Sequence, residues 1–222
     1  LARSEDALLK LQEEQGGEQN LFALPADLSD PVAMDDATAR LLADFGAPDI
    51  LVMNAAAMFR YGKFHRVRED DLRGRLEVDL LSHMRLAQRL VPKMQASGFG
   101  RVIGIGSTAS RFGARGSAVY NTGKAALEGF VRSLAAEYGA HGVTSNLCVL
   151  GPIATERIEE RLKLHPESIE ALDQRTGVRE LPSPHDIAPI ITFLCSDIAG
   201  IINGSILDIT AGTHLLEHWS QP

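Results

Sequence analysis

Short apolar runs alternate with helical patterns along most of this chain, and that alternation constrains the fold more than any other feature. Asp49 to Met53 reads DILVM, Arg101 to Ile105 RVIGI, Val143 to Val149 VTSNLCV and Ser205 to Ile209 SILDI; Asn20 to Ala26 adds an earlier fifth run. Such short runs suit strands, and DILVM suits a strand buried on both faces. The segments between them predict helices. Residues 4–15 have Ser4 as N-cap and Gly16-Gly17 as stop, and a second helix runs from Asp30-Pro31 to about Phe45. Glu69 to about Gln95 carries Leu72, Leu76, Leu80, Met84, Leu86 and Leu90 at helical spacing, with Pro92 expected to kink or stop it. Residues 118–138 and 184–196 follow, the latter opened by Ser183-Pro184. Strand–helix alternation of this kind calls for α/β architecture: one domain over 1–222, a doubly wound parallel sheet with helices on both faces.

In such folds ligands bind beyond the carboxyl ends of the strands. There the chain places Asp27, Asn54 to Ala57, Ser107 at the start of a loop over 106–117, and Gly151-Pro152 to Thr155. The helix from Ala118 begins at the same edge and carries Tyr120 and Lys124, four apart and therefore on one face. A tyrosine with a pKa near ~10 is mostly un-ionised at neutral pH, and an adjacent ammonium favours its phenolate. Hydroxyl, phenol and ammonium around one point make a proton-transfer site. Tyr and Lys at this spacing are common on helix surfaces, so the pair alone specifies nothing; its place among the strand ends does.

Composition narrows the partners. The net charge is −7, with both signs interspersed, which argues against nucleic acid or an anionic membrane. No apolar run approaches the ~20 residues of a membrane helix. Cys148 and Cys195 lie in apolar segments and read as free thiols of a reducing, cytoplasmic compartment. The seven histidines show no metal-ligand spacing, and His214 and His218 near the tail are a weak pair. No metal is expected.

With these residues in place, the chain resembles the short-chain dehydrogenase/reductase family over nearly its whole length. Tyr120-Asn-Thr-Gly-Lys124 is similar to its Tyr-x-x-x-Lys, with Ser107 thirteen positions upstream. Asp27, in ADLSD, resembles the acid that touches the adenine, with Leu28 beside it. Met53-Asn54-Ala55-Ala56 stands where the family has Asn-Asn-Ala-Gly, and Leu150-Gly151-Pro152-Ile153-Ala154-Thr155 resembles the segment beside the nicotinamide. SPHDIAPIITFLCSD and INGSILDITAG resemble the last helix and strand. The resemblance implies a Rossmann-like fold and an NAD(P)(H)-dependent oxidoreductase interconverting a carbonyl and a secondary alcohol. Tyr120 would be the acid or base, Lys124 its ammonium neighbour and a ligand of the nicotinamide ribose, and Ser107 a donor to the substrate oxygen. Cofactor contacts would come from Asp27, Leu28, Asn54, Ala55, Ala56, Tyr120, Lys124, Gly151, Pro152, Ile153 and Thr155. Arg3 follows the position of the ribose-binding acid and suits a 2′-phosphate, which favours NADP over NAD.

Departures from the pattern are equally plain. The glycine-rich phosphate loop is absent from this sequence, which opens on Leu1 at the end of the expected second strand. The expected sheet lacks its first strand, first helix and most of the second strand, exposing edges and apolar faces. Asp79 stands where the family has an asparagine, and is carried as a fourth catalytic residue able to shift the pH optimum. Alternatives are a cofactor-less paralogue serving as a binding or structural subunit, or a non-redox lyase like the halohydrin dehalogenases, which carry arginine where Lys124 stands. Residues 153–181 read as a substrate lid. Arg111, Phe112 and Arg115 are placed to meet a substrate, whereas His65, Arg66 and Arg68 read as a solvated face. The substrate is expected to be a small-molecule carbonyl or alcohol. The long helices, by the resemblance, imply a homo-oligomer, dimer or tetramer.

Overall fold

The computed structural model describes residues 1–57, 62–113, 115–156, 158, 160, 163 and 181–212. Helix α1 (Glu5–Glu14) is capped by Ser4, whose Oγ accepts from the Ala7 N–H. Asp30 caps α2 (Pro31–Asp44), accepting from Val32 and Ala33 with Pro31 in the first turn. Four parallel strands follow: β1 (Ile50–Met53), β2 (Gly100–Ser107), β3 (Val143–Leu150) and β4 (Ile206–Ile209). They pair in the order β1-β2-β3-β4. Met53 faces Gly104, Ser107 faces Leu150, and Leu150 faces Ile209. All four C-termini therefore point to one edge; β2, β3 and β4 end level there, and β1 stops short of them.

Between β1 and β2 the helical segment comes in three parts: α3 (Glu69–Leu76), a π-turn (Glu77–Leu81) and α4 (Ser82–Ser97). In the π-turn the Ser82 N–H bonds back to the Glu77 carbonyl. The Ser82 hydroxyl then donates 2.8 Å to the Val78 carbonyl, which this wide turn deprives of its amide partner. Pro92, expected to kink or stop the helix, does not stop it; α4 runs on to Ser97 and closes at Gly98, φ 74°. A short helix, α5 (Ala109–Phe112), occupies what reads in sequence as a loop. Helix α6 (Ala118–Tyr138) packs on β2 and β3. Helix α7 (Pro184–Cys195) starts with a reciprocal Ser183–Asp186 capping box.

Two apolar clusters cover the two faces of the sheet. On one, Leu90, Val91 and Met94 of α4 and Leu127 and Val131 of α6 bury Val102, Leu147 and Val149. On the other, Leu194 of α7 packs with Ile103, Ile105 and Cys148. Each fully buried aliphatic side chain contributes roughly 1.5–3 kcal/mol.

Two expectations need correction. Residues 20–26 form no strand among the described residues; Ala2 and Pro25 make a single parallel bridge, with the Ala26 N–H donating 2.9 Å to the Ala2 carbonyl. With so short a pairing partner, a ladder does not propagate. Strand β1 is buried on one face only. Leu51 and Met53 join the core, while Ile50 and Val52 are 42% and 41% exposed because no described helix covers them.

Candidate active site

Ser107 ends β2, half-buried, and its Oγ accepts from the Ala109 N–H at 3.3 Å. The Thr108 N–H donates to the Leu150 carbonyl, tying this strand end to that of β3. Tyr120 lies in the first turn of α6 and is half-buried. One turn on, Lys124 is 3% exposed and donates 2.6 Å to the carbonyl of Ile105, two residues before Ser107. Its Nζ stands 6.0 Å from the centroid of the Tyr120 ring. Burial pushes the Lys124 pKa down, and the Asp79 carboxylate opposes that shift. Lys124 and Tyr120 thus stand together beside β2, whose last residue is Ser107.

Asp79 is fully buried in the π-turn. Its Oδ1 accepts from the Ala57 N–H at 2.6 Å, which ties the segment after β1 to the helix. Burial raises its pKa; the Ala57 N–H, Lys124 and Arg75 act the other way. Asn54 and Ala56 are exposed at the end of β1, and Ala55 is half-buried. Gly151 lies so close to Thr210 that an added Cβ would stand 3.0 Å from the Thr210 carbonyl oxygen. Pro152 and Ile153 are half-buried, and the exposed Thr155 hydroxyl accepts from Ile158 N–H.

Asp27 accepts from the Ser29 N–H and hydroxyl, which hold its carboxyl below the usual range. Arg3 is near enough to lower it further. Leu28 is buried, so its side chain serves the core. Arg111 is committed to Asp208 at 2.8 Å, and Arg115 is exposed. Arg66 and Arg68 are exposed, in keeping with a solvated face, and with Lys63 and Arg75 they also line a cavity of about 670 Å³ whose wall includes Tyr120. The greater part of the 153–181 lid, His214, His218 and Trp219 lie outside the described residues. No metal-ligand cluster occurs among the described residues.

Sequence reasoning passed over His83. It lies on the buried face of α4, 1% exposed, with its pKa pushed down to about 4, chiefly by burial and also by the charge of Lys124. Its spacing of four from Asp79 was the available signal.

Arg3 and Asp27 stand near each other, as do Lys124 and Tyr120.

A family profile described as enoyl-(acyl carrier protein) reductase matches residues 2–214. The 3-oxoacyl-[acyl-carrier-protein] reductase FabG of Escherichia coli (strain K12) is 31% identical over 199 residues, covering 87% of this chain and 78% of that protein. Acetoacetyl-CoA reductase of Shinella zoogloeoides is 32% identical over 188 residues, 84% of this chain and 76% of that one. Among solved structures, one assigned as an NAD(P)-dependent gluconate 5-dehydrogenase from Beutenbergia cavernae, with NADP bound at low occupancy, superposes with a TM-score of 0.85. It is 28% identical and covers 94% of this chain and 83% of its own. The profile match spans the strand ends and the Tyr120–Lys124 helix alike, and the chain belongs to the short-chain dehydrogenase/reductase family.

Proposed function

We propose that this protein is an NADP(H)-dependent oxidoreductase interconverting a carbonyl and a secondary alcohol. The observation that carries the reading is the buried Lys124 ammonium behind Tyr120, at the strand edge that also presents Ser107 and Asn54. Tyr120 gives its proton to the carbonyl oxygen in reduction and takes it back in oxidation. Ser107 donates a hydrogen bond to the same oxygen. Lys124 favours the phenolate and reaches the nicotinamide ribose. Gly151, Pro152, Ile153 and Thr155 would flank the nicotinamide together with Asn54, Ala55 and Ala56; Asp27, with the backbone of Leu28, would meet the adenine, and Arg3 a 2′-phosphate. The nicotinamide supplies the hydride, which no side chain can.

NADP is favoured over NAD by Arg3 and by the NADP-bound neighbour. The relatives' names make a 3-oxoacyl compound the first substrate to try. Residues 153–181 act as the lid within a single domain. A groove of about 320 Å³ between α4 and α6, with Leu81 and Met84 exposed on its rim, supports a homo-oligomer, dimer or tetramer. Free Cys148 and Cys195 suit a cytoplasmic location. Burial pushes the Cys148 thiol up to about 11, so it has no reactive role.

The test is turnover of NADPH with a 3-oxoacyl thioester, in wild type and Tyr120→Phe. Loss of about 10²–10⁴-fold in turnover, with NADPH binding by calorimetry unchanged, is expected. Undiminished turnover in Tyr120→Phe overturns the mechanism.

A further inference from the structure

The cavity beside Tyr120, about 670 Å³, is lined by the loop before α3, by α3 itself and by the start of α6. Four cations line it, Lys63, Arg66, Arg68 and Arg75, against one acid, Asp71. The chain as a whole carries −7, so this wall runs against the sign of the molecule. A cleft lined by one sign of charge concentrates the opposite charge within it.

Two of the four cations are already engaged. Asp71 takes both prongs of the Arg68 guanidinium, at 2.9 and 3.0 Å, and the Arg75 charge acts on Asp79. Of the other acids in the first turn of α3, Glu69 pairs with Arg73 at 2.7 Å and Asp70 acts on Arg68. Lys63 and Arg66 make no ion pair among the described residues. Exposed cations are ordinary on a protein surface. These two are set apart by how their loop is anchored. The Gly62 N–H donates 2.9 Å to the Gly116 carbonyl, tying the loop to the turn before α6. Lys63 then caps the 3₁₀ turn Phe64–Arg66, and the Arg66 N–H returns 2.9 Å to the Lys63 carbonyl. Side chains three apart in such a turn lie one over the other. Both therefore reach the cavity that Tyr120 walls.

We propose that this cavity receives a carboxylate of the substrate, held by Lys63 and Arg66, while Tyr120 meets the carbonyl of the same molecule. The inference rests on Tyr120 being the acid–base group and narrows the substrate to an oxo acid or the matching hydroxy acid. A guanidinium fork suits a planar carboxylate, and an ammonium adds a point charge. The volume falls within the roughly 300–1,000 Å³ of small-molecule pockets. Because Tyr120 and the cations share one enclosure, charge and carbonyl belong to one small molecule. The phosphates of an acyl carrier, by contrast, lie a whole pantetheine arm away from its carbonyl.

The experiment is NADPH turnover of acetoacetate, levulinate and 5-oxohexanoate, each beside its methyl ester, with acetoacetyl-CoA as a further substrate. Wild type favours at least one acid over its ester by about tenfold or more in kcat/KM, and the double variant Lys63→Gln/Arg66→Gln brings the pair to near parity. Added salt erodes the preference in wild type. An acid-to-ester ratio that the double variant leaves unmoved overturns the proposal. Weaker NADPH binding by calorimetry in that variant also overturns it and gives the cations to the cofactor. A loss confined to acetoacetyl-CoA overturns it too, and gives them to a carrier phosphate. Saturation-transfer NMR with pentanoate, against pentanamide, separates the site from the reaction. Pentanoate binding that the double variant abolishes, in a protein that reduces no carbonyl, overturns the proposed reaction and leaves the carboxylate site standing. Carbonyl turnover with equal acid and ester rates, and no pentanoate binding, does the reverse.

Discussion

The Lys124 ammonium donates to the Ile105 carbonyl oxygen at 2.6 Å, from the second turn of α6 back to β2. One side chain thereby fixes the distance between helix and sheet and places a cation behind Tyr120. Lys124→Met removes both. Turnover falls by about 10²-fold or more. The Ile105 carbonyl loses its side-chain donor, at a cost of roughly 1–3 kcal/mol in urea unfolding. A variant that lost stability but kept turnover would separate the two roles.

His83 makes the fold acid-sensitive. Its folded pKa is pushed down from the ordinary 6.5 to about 4, so the unfolded chain binds more protons between those values. Stability is therefore fully present above about pH 6.5, falls as pH drops toward 4, and the loss amounts to about 3 kcal/mol. Asp79 has the opposite sign: its raised pKa favours the folded state as pH falls through its own range. Urea unfolding from pH 7 to pH 4 should show a steeper acid loss in Asp79→Asn than in wild type. His83→Val should flatten it.

Gly151 is a packing constraint on the site. A Cβ there would lie 3.0 Å from the Thr210 carbonyl oxygen and 3.1 Å from its Cα, both backbone atoms with little room to yield. Gly151→Ala costs roughly 1–3 kcal/mol in thermal or urea unfolding and separates the ends of β3 and β4. Cofactor affinity should fall with it, measured by calorimetry.

Arg111 should be dispensable for substrate. It pairs with Asp208 at 2.8 Å, both partly exposed, and such pairs contribute about 0–1 kcal/mol. Arg111→Ala is expected to leave KM for an anionic substrate unchanged. A several-fold rise in KM would return it to the substrate pocket.

The strand ends were legible because β2, β3 and β4 pair with neighbours that the apolar runs themselves reveal, and Ser107, Tyr120 and Lys124 are local to one such unit. Residues 20–26 misled, since a strand is defined by its partner and Ala2 supplies a single bridge. Ile50 and Val52 looked buried because apolar identity says nothing of which face lacks a cover. Arg111 looked available because Asp208 lies 97 residues away. The π-turn was hidden in a periodic pattern, although a spacing of four from Leu72 through Leu76 and Leu80 to Met84 exceeds the 3.6 of a regular helix. The wide turn also resets which residues after Asp79 face inward, so that the spacing of four was the one hint that His83 is buried.

The strands lie side by side in the order in which the chain supplies them. The candidate site residues Asp79, Ser107, Tyr120 and Lys124 all fall within the single run from β1 to α6. That run can close as one cooperative unit before β4 is paired, and slow amide exchange should mark it as the last part of the molecule to open. The proton machinery would then outlast the loosening of both chain ends, and losses of function on mild warming would begin elsewhere.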